Sequence, residues 1–216
     1  MGEAQSSCAC GSGSSLFFSL ISIFFIWVIV LPRNPKITIT DALLTQFSFT
    51  NTTTNSTLYY NLAFNLTIRN PNKRLGISYR RIRVIGNYQK KRFALVTLPN
   101  TTVPFYQGHK NTTFLSDIIV QGQQVVKFGK KEISEFNKET AAGIYSIDAV
   151  LALRVKLRLG TIKFHNYGPE NIHCKLKLPL STRNSTLNQT SVSSSFNVTN
   201  CGHVSVVTGF FLSWFS

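Results

Sequence analysis

The most apolar part of the chain is its N-terminal region, where residues 4–32 contain no charged side chain. Within it, Leu16–Leu31 is a nearly unbroken apolar run that ends at Pro32. A helical run of this length spans roughly 24 Å, and the small residues in front of it bring it closer to the ~30 Å hydrocarbon core of a bilayer. The pattern therefore predicts a transmembrane helix over residues 14–32.

A cleaved signal peptide is the alternative interpretation of this run. No positive residue precedes the run, which is also long for the apolar part of a signal peptide. Leu31-Pro32-Arg33 is not a small-x-small cleavage site. These features favour an uncleaved anchor.

Beyond Arg33 the apolar residues recur mostly at every second position, which is the period of a half-buried strand. The clearest alternating segments are Tyr60–Ile68, Ile147–Leu159, Ile172–Leu178 and, more weakly, Val192–Val198. Shorter candidate strands are Lys36–Thr40, Ile82–Tyr88, Phe93–Leu98 and Thr112–Val120.

One segment departs from the strand period. Between Gly129 and Gly143, the residues Ile133, Phe136 and Thr140 recur at helical spacing, and Gly143 is placed to end a helix. One short helix among many short strands predicts a mostly β fold, an antiparallel β-sandwich with a single core.

The composition is strongly basic, with 23 Lys and Arg against 8 Asp and Glu and a formal net charge of +15. A disordered basic tail is excluded, because only 14% of the residues are charged while 43% are hydrophobic. The basic residues lie on the wet faces of predicted strands: Arg80, Arg81 and Arg83, and a basic face of Arg154, Lys156, Arg158, Lys175 and Lys177. An ordinary solvated surface explains any one group, whereas the charge of the whole domain creates a field that attracts anions.

Sequons for N-glycosylation follow the apolar run, and none precedes it. They begin at Asn51, Asn55, Asn65, Asn100, Asn111, Asn184, Asn188 and Asn197. One sequon is a weak pattern, but so many on one side of an anchor favour a lumenal or extracellular domain. The positive-inside rule opposes this, because Arg33 and Lys36 follow the anchor and no Lys or Arg precedes it.

The first residues fit a lipidation signal. Gly2 and Ser6 match the myristoylation pattern, and Cys8 and Cys10 are candidates for palmitoylation. Both modifications occur on the cytosolic face, and the alternative is that these residues carry no signal. We therefore expect residues 1–13 to be a short cytosolic N-terminus and the C-terminal domain to be extracellular.

Two further cysteines, Cys174 and Cys201, fall in the predicted external domain. An even pair in an oxidising compartment usually forms a disulfide. Two free buried thiols are the alternative.

Two motifs resemble elements of a plant family. Asn70–Tyr79 (NPNKRLGISY) is similar to its NPN-x-R-x-G-I-x-Y element, and Phe105–Thr113 (FYQGHKNTT) to its F-x-QG-x-K-NTT element. A basic strand before Gly160 and the paired cysteines follow in the same order. The chain, over about Pro32 to Cys201, resembles the plant membrane proteins named for non-race-specific disease resistance and harpin induction. The motif residues are Asn70, Pro71, Asn72, Gly76, Tyr106, Gln107 and Gly108.

This resemblance implies a fibronectin-III-like sandwich, the type-2 late-embryogenesis-abundant domain, over residues 33–203. It also implies a plasma-membrane location, a role in defence, the hypersensitive response and stress, and no catalysis. The chain departs from the family at both ends. No basic cytosolic segment precedes the anchor, and an apolar tail, residues 204–216, follows the domain.

The tail has two interpretations. Small residues at Ser193–Ser195, a polar spacer and an apolar end resemble a GPI-anchor signal. Cleavage there would remove Cys201 and its bridge. A hydrophobic C-terminus that docks near the membrane is favoured.

The two family motifs also have local physical interpretations. Pro71 keeps Asn70 out of helical conformations and Asn72 can hydrogen-bond its own backbone, so NPN predicts a turn after a strand. Gly108 suggests a turn or bulge before the strand at Thr112. For both motifs a structural turn is favoured over ligand contact.

The chain carries no enzyme signature. His109, His165, His173 and His203 lie far apart, and no CxxC or phosphate-binding glycine loop occurs. His165 and Asp148 could be combined into a catalytic pair, but a satisfied surface histidine is favoured. We therefore expect no catalytic residue, no metal and no cofactor.

Two functions remain. The first is a non-catalytic interaction or signalling module on the outer face of the plasma membrane. Its basic domain would meet acidic wall polysaccharide or lipid head groups, and other membrane or immune proteins, rather than nucleic acid. The second is a cytosol-facing stress domain that protects membranes or proteins.

Overall fold

The chain divides into two units, Met1–Pro32 and Arg33–Ser216. A computed structural model describes residues 17–22, 33–51, 56–99, 103–181 and 196–202, with the backbone alone for 164–170. In the first unit, residues 17–22 are helical (α1). Among the described residues, no helix is both long and apolar enough to cross a membrane. The predicted anchor otherwise lies outside these residues and stays a prediction.

The described part of the second unit contains nine strands and one helix. Their bounds are β1 Lys36–Asn51, β2 Ser56–Arg69, β3 Gly76–Tyr88, β4 Lys91–Thr97, β5 Phe105–Gln107, β6 Thr112–Val125, α2 Lys130–Ala142, β7 Ile144–Leu159, β8 Ile162–Pro179 and β9 Thr199–Asn200.

The strands form two antiparallel sheets. Sheet A has the order β6-β2-β1-β9, and sheet B has the order β4-β3-β7-β8 with β5 paired to β3. Every registered strand pair is antiparallel. The predicted mostly β, antiparallel fold is confirmed.

One core lies between the two sheets. In β7 every odd-numbered residue from Tyr145 to Leu157 is buried, and in β2 every even-numbered residue from Leu58 to Ile68 is buried. Burying one such aliphatic or aromatic side chain stabilises the fold by ~1.5–3 kcal/mol. The alternation that predicted the strands is thus also what holds the sheets face to face.

Aromatic rings close one end of the core. The Phe47 ring lies 4.9 Å from the ring of Tyr145 and 5.2 Å from that of Tyr88, both edge-to-face. Phe136 of α2 joins them at 6.0 Å from Phe47. This aromatic contact packs α2 onto the two sheets.

The helix α2 has the bounds that the sequence predicts. Phe136 is its buried residue, and Gly143 ends it in the left-handed conformation with φ 68°. The Gly143 N–H donates to the carbonyls of Glu139 and Thr140, so two otherwise unpaired carbonyls are satisfied at the cap.

A disulfide links the two sheets. Cys174 on β8 of sheet B bonds Cys201, which directly follows β9 of sheet A. The Cys201 N–H donates to the Ile37 carbonyl, and the Gly202 N–H donates to the His173 carbonyl, each at 3.0 Å. The predicted pairing is confirmed.

Two strand predictions need correction, and one strand, β5, is missed. β1 continues to Asn51 instead of ending at Thr40, because register shifts at Ile39/Asp41 and Leu44/Gln46 interrupt the alternation. β5 is too short to show a period. In the weakly predicted strand Val192–Val198, the described residues 196–198 are not in a strand.

Candidate functional site: the outward face of sheet B

The outward face of sheet B follows from the alternation of side chains along β7. Even-numbered residues lie on the side opposite the shared core. Arg154 is exposed there and Lys156 and Arg158 are half-buried, whereas Val150 and Ala152 are buried. Their neighbours Val155 and Leu157 are completely buried. Core packing therefore determines the side on which these basic side chains lie.

Neighbouring strands extend this basic row. Arg81 of β3 lies directly opposite Arg154, and Lys175 of β8 lies opposite Asp148 on the same face. We call the whole set the basic strip: Arg81, Arg83, Arg154, Lys156, Arg158, Lys175 and Lys177. The structure thus brings the five predicted basic-face residues together on one face.

Asp148 lies on the same face as the basic strip, but no member of the strip forms an ion pair in the described part of the chain. Among the described residues, the ion pairs are Lys91–Glu132, Lys138–Glu135 and His173–Asp148, and none of them includes a member of the strip. Like charges directly opposite each other, such as Arg81 and Arg154, destabilise a sheet. The strip therefore costs the fold stability while its charge is available to an external anion.

A tyrosine lies at one end of the strip. A Cβ on Gly76 would approach the Tyr106 Oη to 2.1 Å, so only glycine leaves room for this ring across β3. The Arg158 guanidinium carbon lies 5.4 Å from the ring centroid, which is a cation–π contact. Tyr106 is 55% exposed. The motif residues Gly76 and Tyr106 thus support Arg158 on the basic strip.

Three buried side-chain amides, Asn70, Asn72 and Gln107, form what we call the amide cluster. Asn70 Nδ2 donates to the carbonyls of Leu75 and Gly108 at 2.8 and 2.9 Å. Its Oδ1 accepts from the backbone N–H and the Nδ2 of Asn72 at 3.0 and 2.8 Å. Both donors and both lone pairs of the Asn70 amide are therefore used inside the protein.

Asn72 connects the start of the domain to the same turn. Its Oδ1 accepts from the backbone N–H of Arg33 at 2.5 Å, and its Nδ2 donates to the Arg33 carbonyl at 2.8 Å. The Lys110 N–H donates to the Asn72 carbonyl at 3.0 Å. The residue that follows the predicted anchor is thus held at the β2–β3 turn.

Gln107 joins the two sheets. From β5 of sheet B, its Nε2 donates to the Ile68 carbonyl at 2.7 Å and to Thr113 Oγ1 at 3.0 Å, both in sheet A. Its Oε1 accepts from the Tyr79 hydroxyl at 3.3 Å. Because the amide donors of the cluster are all satisfied by the protein, this part of the two motifs is structural.

Two local details differ from the sequence interpretation. Asn70, not Asn72, bonds its own turn, through Oδ1 to the Asn72 N–H. In the loop before β6 the left-handed residue is Lys110, with φ 52°. A Cβ added at Gly108 would meet no atom within 4 Å. Both segments are nevertheless turns, with Pro71 inside the first.

Sequence comparison identifies relatives among curated plant proteins. The chain is 42% identical to NDR1/HIN1-like protein 10 of Arabidopsis thaliana over 172 residues, which cover 80% of this chain and 73% of the relative. It is 43% identical to NDR1/HIN1-like protein 3 of the same plant over 166 residues, 77% of this chain and 68% of the relative. The chain belongs to the NDR1/HIN1-like family.

Other comparisons add little to this membership. NDR1/HIN1-like protein 2 of the same plant is 39% identical over 162 residues, 74% of this chain and 64% of that relative. No family model matches the chain. A crystal structure of an Archaeoglobus fulgidus protein aligns with 66% of this chain and 98% of its own, with 9% identity and a TM-score of 0.29. That score is too low to support an argument.

The described sequons of this NDR1/HIN1-like chain lie on or beside sheet A. Asn51 ends β1, Asn65 lies on β2, Asn111 precedes β6 and Asn197 precedes β9. Asn65 Oδ1 accepts the backbone N–H of Asp117 at 3.0 Å. No sequon begins within the strand bounds of sheet B. The predicted sites outside the described residues are Asn55, Asn100, Asn184 and Asn188, as are the lipidation candidates Gly2, Cys8 and Cys10.

Asp148 contacts a histidine on the neighbouring strand, and this histidine is His173. Asp148 Oδ2 lies 2.8 Å from Nδ1 of His173, which is its diagonal neighbour on β8. No group of three His, Cys, Asp or Glu side chains that could hold a metal occurs among the described residues. The strand register decides this pairing, and the spacing along the sequence does not reveal it.

Proposed function

We propose that this NDR1/HIN1-like protein is a single-pass plasma-membrane protein that acts in plant defence, the hypersensitive response and stress. Residues 14–32 form its anchor, and residues 33–203 form a fibronectin-III-like, late-embryogenesis-abundant domain outside the cell. The protein works without catalysis, as an interaction or signalling module. Membership of the family supports the defence and stress role.

The separation of charge and sequons carries the proposal. The basic strip occupies sheet B, while Asn51, Asn65, Asn111 and Asn197 lie on or beside sheet A. Glycans on these residues would leave the cationic face open. The disulfide between the sheets supports an oxidising compartment, where such bonds persist.

The partner that this face suits best is a carboxylate-rich polysaccharide of the cell wall. Outward residues on one strand are spaced ~6.6 Å apart, so Arg154, Lys156 and Arg158 form a row that several carboxylates of one polymer can contact. The exposed ring of Tyr106 at the end of the row offers a flat apolar surface to a sugar ring. Other membrane or immune proteins are further partners in this proposal, and nucleic acid is not.

Glycosylation tests the topology. Protein isolated from plant membranes should shift in mobility by several glycans after endoglycosidase treatment, and protease added outside sealed vesicles of outward topology should digest the domain. Unchanged mobility together with a protected domain would contradict an extracellular domain.

Binding to polygalacturonate tests the partner. We expect the full-length protein in detergent to bind the polymer and to elute with salt, because screening weakens exposed charge contacts. Anionic and neutral lipid vesicles form a parallel arm. Binding to anionic vesicles alone would assign the strip to lipid head groups, and salt-insensitive or absent binding would contradict the polymer interaction.

One observation favours a cytosol-facing stress domain as a second candidate. Arg33 and Lys36 follow the predicted anchor, and the positive-inside rule places such residues in the cytosol. In that orientation the basic strip would face the anionic inner leaflet. The same endoglycosidase and protease experiment separates the two candidates.

A further inference from the structure

A groove of about 600 Å³ lies where the β3–β4 turn meets β7 and β8. Its volume is typical of small-molecule sites, which span roughly 300–1,000 Å³. Its polar lining includes Gln89, Lys90, Asp148, His173, Lys175 and Lys177. It therefore continues the basic strip into a concave site.

Three lysines give the groove its charge. Lys175 and Lys177 come from β8, and Lys90 comes from the β3–β4 turn on the opposite side. None of the three has an ion-pair partner among the described residues. Ammonium groups supplied from two elements around one cavity favour a ligand that carries a carboxylate.

The turn that carries Lys90 is conformationally strained. Gln89 and Lys90 connect β3 to β4 as a two-residue hairpin turn, with φ of 48° and 63°. Asn-Gly adopts such a turn with less strain, whereas long side chains at positive φ cost free energy. This strain accompanies a useful placement, because both side chains line the groove.

Asp148 adds a hydrogen-bond acceptor. Its Oδ2 contacts His173, while its Oδ1 is buried and has no hydrogen-bond partner among the described residues. The terminal torsion of an aspartate is soft, so a small rotation can turn this oxygen toward a donor in the groove. A hydroxyl group of a ligand would supply the missing donor.

We propose that this groove binds one sugar-acid residue, a uronate, of the anionic polysaccharide. Lys90, Lys175 and Lys177 bind the carboxylate, and Asp148 accepts a hydrogen bond from a ring hydroxyl. This inference rests on the proposed function, since it assigns one residue of the polymer to a specific binding site. It also separates a sugar acid from a plain anion, because a plain anion has no hydroxyl group to offer Asp148.

Binding of short galacturonate oligomers to the full-length protein in detergent tests this site. The test variant is Lys90→Gly, which removes the ammonium group and relieves the turn. Lys110→Gly is the matched control, because Lys110 is also an exposed lysine at positive φ and does not line the groove. We expect Lys90→Gly to weaken binding roughly tenfold and Lys110→Gly to leave it unchanged. Methyl-esterified oligomers, which lack the charge, should bind neither variant nor the wild type.

A second pair of variants tests the acceptor. Asp148→Leu removes both carboxylate oxygens at similar size, whereas Asp148→Asn removes the same charge but keeps one oxygen that can accept a hydrogen bond. If Asp148 accepts from a sugar hydroxyl, Asp148→Leu should bind the oligomers more weakly than Asp148→Asn. Equal binding by the two variants would overturn the sugar-acid assignment.

The proposed polymer partner and the proposed uronate site in the groove fail in different ways. Suppose that the wild type binds polygalacturonate and that Lys90→Gly and Lys110→Gly bind the oligomers with equal affinity. The groove is then not the uronate site, while the basic strip can still be the binding surface. If the wild type binds neither polymer nor oligomer, both the proposed partner and the groove are wrong.

Discussion

The outward faces of the two sheets differ in chemistry although the inward faces share one core. On sheet B, the outward positions of β7 include Arg154, Lys156 and Arg158. On sheet A, the outward positions of β2 up to Thr67 are neutral and include Asn61 and Asn65, and only Arg69 at the end of the strand is charged. Core packing constrains only the inward-facing residues of each strand. The outward-facing residues are free to form an interaction surface on one sheet and glycosylation sites on the other.

Contacts that join the two sheets stabilise the whole domain, whereas a residue on an outward face affects only that face. The amide cluster and the disulfide each join sheet A to sheet B. Damage to these links should therefore affect the whole domain. Changes on an outward face should leave stability nearly unchanged and alter one function.

The largest effect is expected from Asn70→Ala. The substitution leaves the Leu75 and Gly108 carbonyls and the Asn72 N–H without their partner. Each unsatisfied buried group costs about 1–3 kcal/mol, so we expect the free energy of unfolding to fall by about 4 kcal/mol in denaturant titrations. Asn61→Ala, an outward change on β2, should cost less than about 0.5 kcal/mol. Equal losses in the two variants would contradict a structural role for the motif.

The next largest effect is expected from removing the bridge with Cys174→Ala and Cys201→Ala together. The loop between them is 27 residues long, and the loop-entropy relation gives a loss of about 3–4 kcal/mol. Denaturant unfolding of the double variant should match that of the reduced wild type. A stability within about 1 kcal/mol of the oxidised wild type would show that the hydrogen bonds across the sheets suffice without the bond.

Neutralising part of the basic strip should act on one face alone. For Arg154→Gln with Lys156→Gln and Arg158→Gln, we expect affinity for polygalacturonate to fall roughly a hundredfold at low salt. The matched control is Lys130→Gln with Lys131→Gln and Lys138→Gln on α2, which removes the same charge elsewhere. A similar loss in both triple variants would mean that net charge, rather than the face of sheet B, attracts the polymer.

A smaller effect is expected from alkaline pH, which acts on the shared core. Burial raises the pKa of the Tyr79 and Tyr88 hydroxyls above the usual value, and at Tyr88 the hydrogen bond to Glu139 raises it further. The unfolded chain loses these protons above about pH 10 while the folded chain keeps them. Stability should thus be intact below about pH 10 and fall above it, by up to ~1.4 kcal/mol per pH unit for each tyrosine. Denaturant midpoints in Tyr79→Phe should fall less steeply, and an identical slope would contradict the assignment.

The sequence predicts the buried, inward-facing residues of the strands well and the outward-facing residues only in part. Alternating apolar residues locate β2, β7 and β8, since burial on one face imposes period two on the sequence. The bulges in β1 hide its second half, because each bulge shifts the alternation by one residue.

The site is predicted where it follows from strand parity and is missed where it depends on register. Because Lys175 and Lys177 are two residues apart on one strand, the alternation of side chains is sufficient to place them on one face. Register is needed to place His173 beside Asp148, and to bring Lys90 to the groove. Likewise, the sequence motifs show that Asn70 and Gln107 matter, but only the packed structure shows that their amides face inward.

A single substitution offers the most direct test of the central claim that sheet B binds and sheet A carries glycans. His173→Thr creates a sequon that begins at Asn171 on β8, at an exposed position, and His173→Val is its control without a sequon. On sheet A, Thr67→Val removes the Asn65 sequon and also a buried hydroxyl that has no hydrogen-bond partner. We predict that glycosylated His173→Thr loses polygalacturonate binding relative to His173→Val, which lacks the same histidine but has no sequon, while Thr67→Val binds like the wild type. Binding by glycosylated His173→Thr that equals that of His173→Val would contradict the assignment of the binding face to sheet B.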